Sequence, residues 1–317
     1  MTEIGAPRRG EGAASRTVAN YLTEWIEHFC HPDSGHSPLT GQVYRRTVTG
    51  HLIPQIGHIR LDLLSPDDID TMLSALRTQG LGAGTQHRIL TVLSSAMRQA
   101  VKRRLIPTNP VKGATKPSYR TSLPPIPTPE EVVLMIAASY KADQQFGDAI
   151  KLIASTGMRR SEACALRFTD FDATHGTLTI ARSMLEINGG GRVEGRTKTD
   201  RGRRTISLDA ACIDIIVRRQ KGAQPDAFIL GTGSNSLAPV RLTHVYHRLA
   251  DRLGIKATRV HSLRHFNATQ LLANRVPLPD VAARLGDDPK TILSNYAGVI
   301  AGADQKAADL MGSILGG

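Results

Sequence analysis

His261-Ser262-Leu263-Arg264-His265, then Leu285-Gly286-Asp287-Asp288-Pro289, then Tyr296: these residues decide the fold assignment. On a helix, positions three apart are neighbours, so His261 and Arg264 share a face. That face pairs a hydrogen-bonding imidazole with a guanidinium suited to phosphate. Taken alone, such a pair is more often structural, and Tyr296 alone reads as a core aromatic.

Upstream, Thr156-Gly157-Met158-Arg159-Arg160-Ser161-Glu162 reads as a glycine turn that starts a helix with arginine in its first turn. Helix N-termini attract anions, so a phosphate site is expected there; the plainer alternative is a surface arginine at an ordinary turn. Arg196-Thr197-Lys198-Thr199, followed by Arg201, Arg203 and Arg204, predicts a basic hairpin with Lys198 near its tip. Such a hairpin can enter a DNA groove, and its lysine can protonate a leaving oxygen; a solvated basic hairpin is the alternative. The alternation Leu178-Thr179-Ile180, a turn at Gly189-Gly190-Gly191 and Arg204-Thr205-Ile206-Ser207-Leu208 predict short strands. Helices are predicted near Val132–Tyr140, begun by a capping box at Thr128-Pro129-Glu130-Glu131, and near Phe146–Ala154. The class is therefore mainly α with a small antiparallel β-sheet.

The first hundred residues read as four helices. Val18, Tyr21, Leu22, Trp25, Ile26 and Phe29 advance by threes and fours. A second helix is expected over Leu39–Leu52, ending before Pro54 because proline disfavours helical geometry in the residue before it. Ser65-Pro66-Asp67-Asp68 opens a third, and a fourth runs from about Thr85 through Val101. Arg98, Lys102, Arg103, Arg104, Lys112, Lys116 and Arg120 follow with no intervening acid, and prolines crowd the chain from Pro107 to Pro129. This composition predicts a basic, semi-extended linker.

A chain of 317 residues suggests about two domains at roughly 150 residues each. Its net charge of +12 makes a polyanion the default partner. Nothing approaches the roughly 18 apolar residues of a membrane span, and no secretory core follows Arg8 and Arg9. Cys30, Cys164 and Cys212 are too few and too scattered for a disulfide framework or metal site, so a cytoplasmic location is expected.

In order, Thr156-Gly157-Met158-Arg159, the hairpin Lys198, His261 to His265, and Leu285-Gly286 with Tyr296 ten residues beyond the glycine resemble the tyrosine recombinases, phage integrases in particular. The likeness spans about Thr17 to Ala297 and includes Asn109-Pro110. It implies an N-terminal four-helix core-binding domain and a C-terminal mixed α/β catalytic domain. The expected boundaries are a tail at 1–16, the DNA-binding domain at 17–112, the linker at 113–127, the catalytic domain at 128–300 and a tail at 301–317. It implies DNA strand exchange through a 3′-phosphotyrosine formed by Tyr296, with Arg159, Lys198, His261, Arg264 and the residue at position 287 around the phosphate. It implies no metal or nucleotide cofactor. Its partners are double-stranded attachment sites, a homo-tetramer on DNA and an accessory directionality protein, with no membrane. Arg88, Arg98, Lys102, Arg103, Arg104, Lys112, Lys116, Arg196 and Arg201 are the expected DNA contacts.

These residue types suit the chemistry. Two guanidiniums can each grip non-bridging oxygens bidentately and neutralise charge that grows in the transition state. A phenol with ordinary pKa about 10 needs a base or strong positive surroundings before it attacks. Because the phosphotyrosine retains the ester's energy, rejoining needs no ATP, and the chain has no GxxxxGK[ST] loop.

Three features depart from the pattern. Asp287 stands where the family usually has histidine or tryptophan, so a carboxylate expected to repel phosphate replaces a donor. Gly298 replaces a frequent histidine. Only about sixteen residues precede the first helix, which predicts recognition of core-type sites alone. The stripe Ala307, Leu310, Met311, Ile314 and Leu315 either docks on a neighbouring protomer, as in the family, or packs on its own domain. Two alternatives remain beside the recombinase: a DNA-binding relative that has lost cleavage, motivated by Asp287, and a type IB topoisomerase-like enzyme.

Overall fold

Thr17 starts the first helix by accepting the Asn20 N–H at 3.2 Å, and the computed structural model builds two units from that end. It describes residues 16–31, 34–118, 124–187, 191–196, 202–232, 235–300 and 304–315. The units are Met1–Thr121 and Ser122–Gly317. No helix among the described residues is long and apolar enough to cross a membrane.

In the first unit, α1 (Val18–Phe29) buries Val18, Tyr21, Leu22, Trp25 and Ile26, each large side chain contributing about 1.5–3 kcal/mol. The Tyr21 hydroxyl donates to the Ala96 carbonyl at 2.7 Å, so its polar tip is satisfied inside the core. After α2 (Pro38–Thr47) the chain does not stop before Pro54 as expected. It widens into a π-helical turn over Val48–Leu52 and continues as α3 (Ile53–Ile56), with the Ile53 N–H bonded to the Val48 carbonyl. Proline lacks an N–H and its ring collides with the carbonyl four residues back in a regular helix; the wider turn accommodates both. Next, α4 (Pro66–Thr78) opens with a Ser65/Asp68 capping box, and α5 (Ala83–Lys102) supplies Ile89, Leu93, Ala96 and Met97 to the core. Asn109 caps the 3-10 turn Pro110–Lys112 and donates to both oxygens of Ser94 at 3.2 Å. The start of the proline-rich segment is not free: Thr115 donates its backbone N–H and hydroxyl to Asp70 at 2.8 and 2.9 Å.

The second unit begins with α6 (Pro129–Ala142), capped reciprocally by Thr128 and Glu131, then α7 (Gln144–Thr156) and the single-turn α8 (Arg160–Ala163). The expected single sheet is two pieces. β1 (Phe171–Asp172), β2 (Thr177–Ile180) and β5 (Arg204–Ser207) form one antiparallel sheet with β2 central, Leu178 opposite both Phe171 and Ile206. Because β2 is paired on both edges, β3 (Arg182–Ile187) and β4 (Gly191–Arg196) pair with each other as a separate ribbon. The Gly189–Gly190 part of the predicted turn lies outside the described residues. Then come α9 (Ala210–Gln220), the short pair β6 (Gly231–Thr232) and β7 (Asn235–Ser236), α10 (Pro239–Arg252), α11 (His261–Ala273), α12 (Leu278–Leu285), α13 (Pro289–Ile300) and α14 (Asp304–Leu315). On α14, Met311, Ile314 and Leu315 are exposed.

The helix α11 packs against α7, α12 and α13, and two left-handed glycines make that convergence achievable. Gly157 ends α7 at φ +67°, and Gly286 ends α12 at φ +68°. A Cβ on Gly157 would strike the Leu285 side chain and come within 2.7 Å of Asn267 Oδ1. Gly157→Ala is therefore expected to lower stability by about 1–3 kcal/mol from backbone strain alone, with overpacking added, as read by urea denaturation.

Candidate functional site

Arg264 projects from the first turn of α11 and is 3 % exposed. Its Nη1 donates to the Gly157 carbonyl at 2.8 Å; its Nη2 donates to the Leu285 carbonyl at 2.8 Å and to Asp287 Oδ2 at 2.5 Å. Asn267, one turn on, donates to the carbonyls of Ala154 and Ser155 at 3.0 Å and fastens α11 to the end of α7. The two turns that carry the glycines are thus the turns that feed acceptors to this guanidinium.

Arg159, immediately before α8, reaches the same carboxylate: its Nη2 donates to Asp287 Oδ1. Asp287 was expected to repel a phosphate, and without one its carboxylate pairs with both guanidiniums. Its two oxygens are divided between the two arginines, so it is the anion the site currently holds. The helix N-terminus invoked for Arg159 is also reduced in importance, because α8 is one turn long and the attraction comes from paired guanidiniums instead.

Glu162, which the sequence left without a role, and Arg204, read there as part of a basic hairpin, complete the arrangement. Glu162, 2 % exposed, accepts the Arg159 backbone N–H at 2.9 Å, Arg159 Nη1 at 2.8 Å and Arg204 Nη2 at 2.9 Å. Arg204 also donates from Nε to the Arg284 carbonyl at 2.7 Å, tying β5 to α12. Burial raises the Glu162 pKa, but Arg204, then the backbone and charge of Arg159, outweigh it and hold the carboxyl below its ordinary range. The available signal was Glu162 three residues after Arg159, the spacing by which an acid reaches back to a helix start.

His261 opens α11 with its ring 4.8 Å from that of His265, edge to face. Desolvation by surrounding protein, then the charges of His265, Arg264 and Arg159, push its pKa down to about 4, with Asp287 acting in the opposite sense. His261 is exposed, so water screens part of these effects; the conclusion is a neutral imidazole at pH 7. Tyr296 belongs to α13, the helix after Asp287, but its side chain lies outside the described residues. So do Lys198, Arg201 and the side chain of Arg196. The structure therefore brings Arg159, His261, Arg264 and Asp287 together.

In the first unit, Arg88, Arg98, Lys102, Arg103, Arg104, Lys112 and Lys116 are all exposed. Arg98, Lys112 and Lys116 line a groove of about 260 Å³ with His87 and Leu90. Arg103 lies 3.8 Å from Glu24, which offsets part of its charge.

Two arginines sharing one carboxylate beside a neutral histidine make a cationic site of the kind that accepts an anion. Residues 128–301 match the profile described as the phage integrase family, and the chain belongs to that family. It is 23 % identical to an integrase of Saccharopolyspora erythraea, covering 95 % of this chain and 83 % of that protein. It is 26 % identical to the tyrosine recombinase XerD of Oceanobacillus iheyensis, over 85 % and 90 % of the two chains. Among solved structures, the Tn1549 transposon integrase in complex with a circular intermediate DNA is similar, with TM-score 0.77 at 20 % identity, covering 94 % of this chain and 99 % of that one. The lambda integrase tetramer bound to a Holliday junction gives TM-score 0.66 at 18 % identity, over 90 % and 82 %.

Two outcomes follow from this geometry. Glu162→Ala leaves the Arg204 guanidinium buried without its counter-charge and is expected to cost about 3–5 kcal/mol in denaturation experiments. His261 ring resonances in NMR titrations are expected to stay unprotonated from pH 8 to 6 and to move near pH 4. Because its folded pKa lies below the ordinary 6.5, the unfolded chain takes up a proton first, so the stability linked to His261 is full above about 6.5 and is lost as pH falls toward 4.

Proposed function

We propose that this chain is a site-specific DNA recombinase that cleaves and rejoins strands through Tyr296, integrating or excising a phage or other mobile element. The observation that carries this is the convergence of Arg159 and Arg264 on one anion beside His261, inside the segment matching the phage integrase family. In the proposed reaction the two guanidiniums hold the non-bridging oxygens of the scissile phosphate. The Tyr296 oxygen bonds to phosphorus and gives up its proton as the bond to the 5′-oxygen breaks. His261, neutral, offers one N–H to a phosphate oxygen and a lone pair to the phenolic proton; Lys198 protonates the departing 5′-oxygen. Reversal with a second strand's 5′-hydroxyl rejoins the backbone.

Residues 17–112 would bind core-site DNA through the cations around α5, residues 113–127 would link, and 128–300 would carry the chemistry. A homo-tetramer pairing two double-stranded attachment sites, which the lambda integrase assembly on a Holliday junction supports by likeness, would work in the cytoplasm. The α14 stripe of Met311, Ile314 and Leu315 would dock on a neighbouring protomer in that assembly.

The test is incubation with a nicked core-site duplex and denaturing gel detection of a protein–DNA adduct. Tyr296→Phe is expected to abolish the adduct while leaving gel-shift affinity intact. Arg264→Ala is expected to slow its formation by about a hundredfold or more. No adduct from the unmodified protein would overturn the proposal in favour of site occupation without cleavage.

A further inference from the structure

Asp287 sits where the reading above places the scissile phosphate. We infer that its carboxylate is a built-in phosphate surrogate that closes the pocket of the free protein, so that a phosphate must displace it to reach Arg159 and Arg264. The inference rests on that reading only for the identity of the displacing group; the carboxylate shared by two guanidiniums is an observation in its own right.

The geometry is that of a tetrahedral anion's two oxygens reproduced by a carboxylate. Oδ1 takes Arg159 Nη2 and Oδ2 takes Arg264 Nη2, one oxygen to each guanidinium. A guanidinium Nη carries two hydrogens. On Arg264 Nη2 one is committed to the Leu285 carbonyl and the other to Asp287, so that nitrogen has no donor left for an incoming oxygen. On Arg159, Nη1 already serves Glu162, and Nη2 points to Asp287. At Arg264 Nη2 a phosphate and the Asp287 carboxylate therefore compete for the same hydrogen, and two anions sharing that space repel each other besides.

Asp287 is also placed to leave. Its side chain is 20 % exposed and that of Arg159 38 %, against 4 % for Arg264, so solvent reaches the carboxylate and Arg159 while Arg264 lies beneath them. It follows Gly286 in the turn between α12 and α13, where its own N–H is held by the Ala282 carbonyl at 3.0 Å. The next residue, Asp288, bonds the Lys290 N–H at 2.9 Å at the start of α13. The backbone is fixed on both sides, so a side-chain rotation suffices to open the site. Arg264 stays anchored by the carbonyls of Gly157 and Leu285 when the carboxylate swings out, and Arg159 by Glu162. The guanidiniums thus remain in place for the incoming anion.

The experiment titrates the full chain with inorganic phosphate at pH 7 by isothermal calorimetry. If the pocket is open in about a tenth of molecules or fewer, its apparent affinity is lowered about tenfold or more. Asp287→Asn and Asp287→Ala are each expected to bind phosphate at least about tenfold more tightly than the unmodified protein, and adding Arg159→Ala to either is expected to erase the gain. Thermal melts with and without phosphate provide a second readout: phosphate is expected to raise the melting temperature of the variants more than that of the unmodified chain. Equal or weaker phosphate binding by both folded variants would overturn the inference, as would a gain that survives Arg159→Ala. Failure of the Tyr296 adduct would strike the recombinase reading alone, because the phosphate titration involves neither Tyr296 nor DNA.

Discussion

A guanidinium that is 3 % exposed must find acceptors inside the protein, and most of the second unit's architecture around α11 serves that need for Arg264. Two of its acceptors are main-chain carbonyls, Gly157 and Leu285, taken from the last turns of α7 and α12. Those carbonyls face the guanidinium because α7 ends at a left-handed glycine and α12 is followed by another. Asn267 then locks α11 to α7 by bonding two more terminal carbonyls. Helix ends that would otherwise need water are satisfied by the residues that position the site. Folding the unit and assembling the anion pocket are, in this respect, one event.

The molecule solves the same electrostatic problem elsewhere to a different end. Asp148 on α7 is fully buried and accepts from Arg218 at 2.6 Å, Arg219 at 3.0 Å and Tyr140 at 3.0 Å. Like Asp287, it is a carboxylate shared by two arginines. The difference is access: at Asp148 the anion is sealed beneath its partners, and its removal would strand two cations. At Asp287 the anion stands in front, where a solvent-borne group can take its place. Exposure of the acid separates a structural clasp from an exchangeable one.

Much of this was legible in the chain. The 3.6-residue periods of α1, α4 and α5, the capping boxes at Ser65 and Thr128, and the alternation in β2 and β5 are local signals, and local physics decided them. Arg159, His261 and Arg264 were singled out because each carried chemistry in a motif of fixed spacing. What was not legible depended on distant partners. Pro54 signalled a helix end, but the π turn before it is a tertiary accommodation. Glu162 and Arg204 are forty-two positions apart and meet only when β5 lies against α8. Asp287 read as a misplaced negative charge because the sequence shows what a residue is, and only the fold shows two cations already waiting for it.

This distribution of charge divides affinity from chemistry. Arg159, Arg204 and Arg264 face Glu162 and Asp287, so three cations meet two anions while Asp287 is in place, and the site draws less on polyanions at a distance than it would without that carboxylate. Arg98, Lys112 and Lys116 of the first unit line a groove with no acid among its described lining residues, and under the proposed function they would supply the salt-dependent attraction expected of a protein with net charge +12. Affinity for DNA would then be gained at the groove irrespective of sequence. The costlier step, exchanging one anion for another across two guanidiniums, would be confined to a phosphate delivered at the right position. A pocket that binds its own carboxylate first would respond less to free phosphates and nucleotides in the cell than to one held against it by a bound duplex.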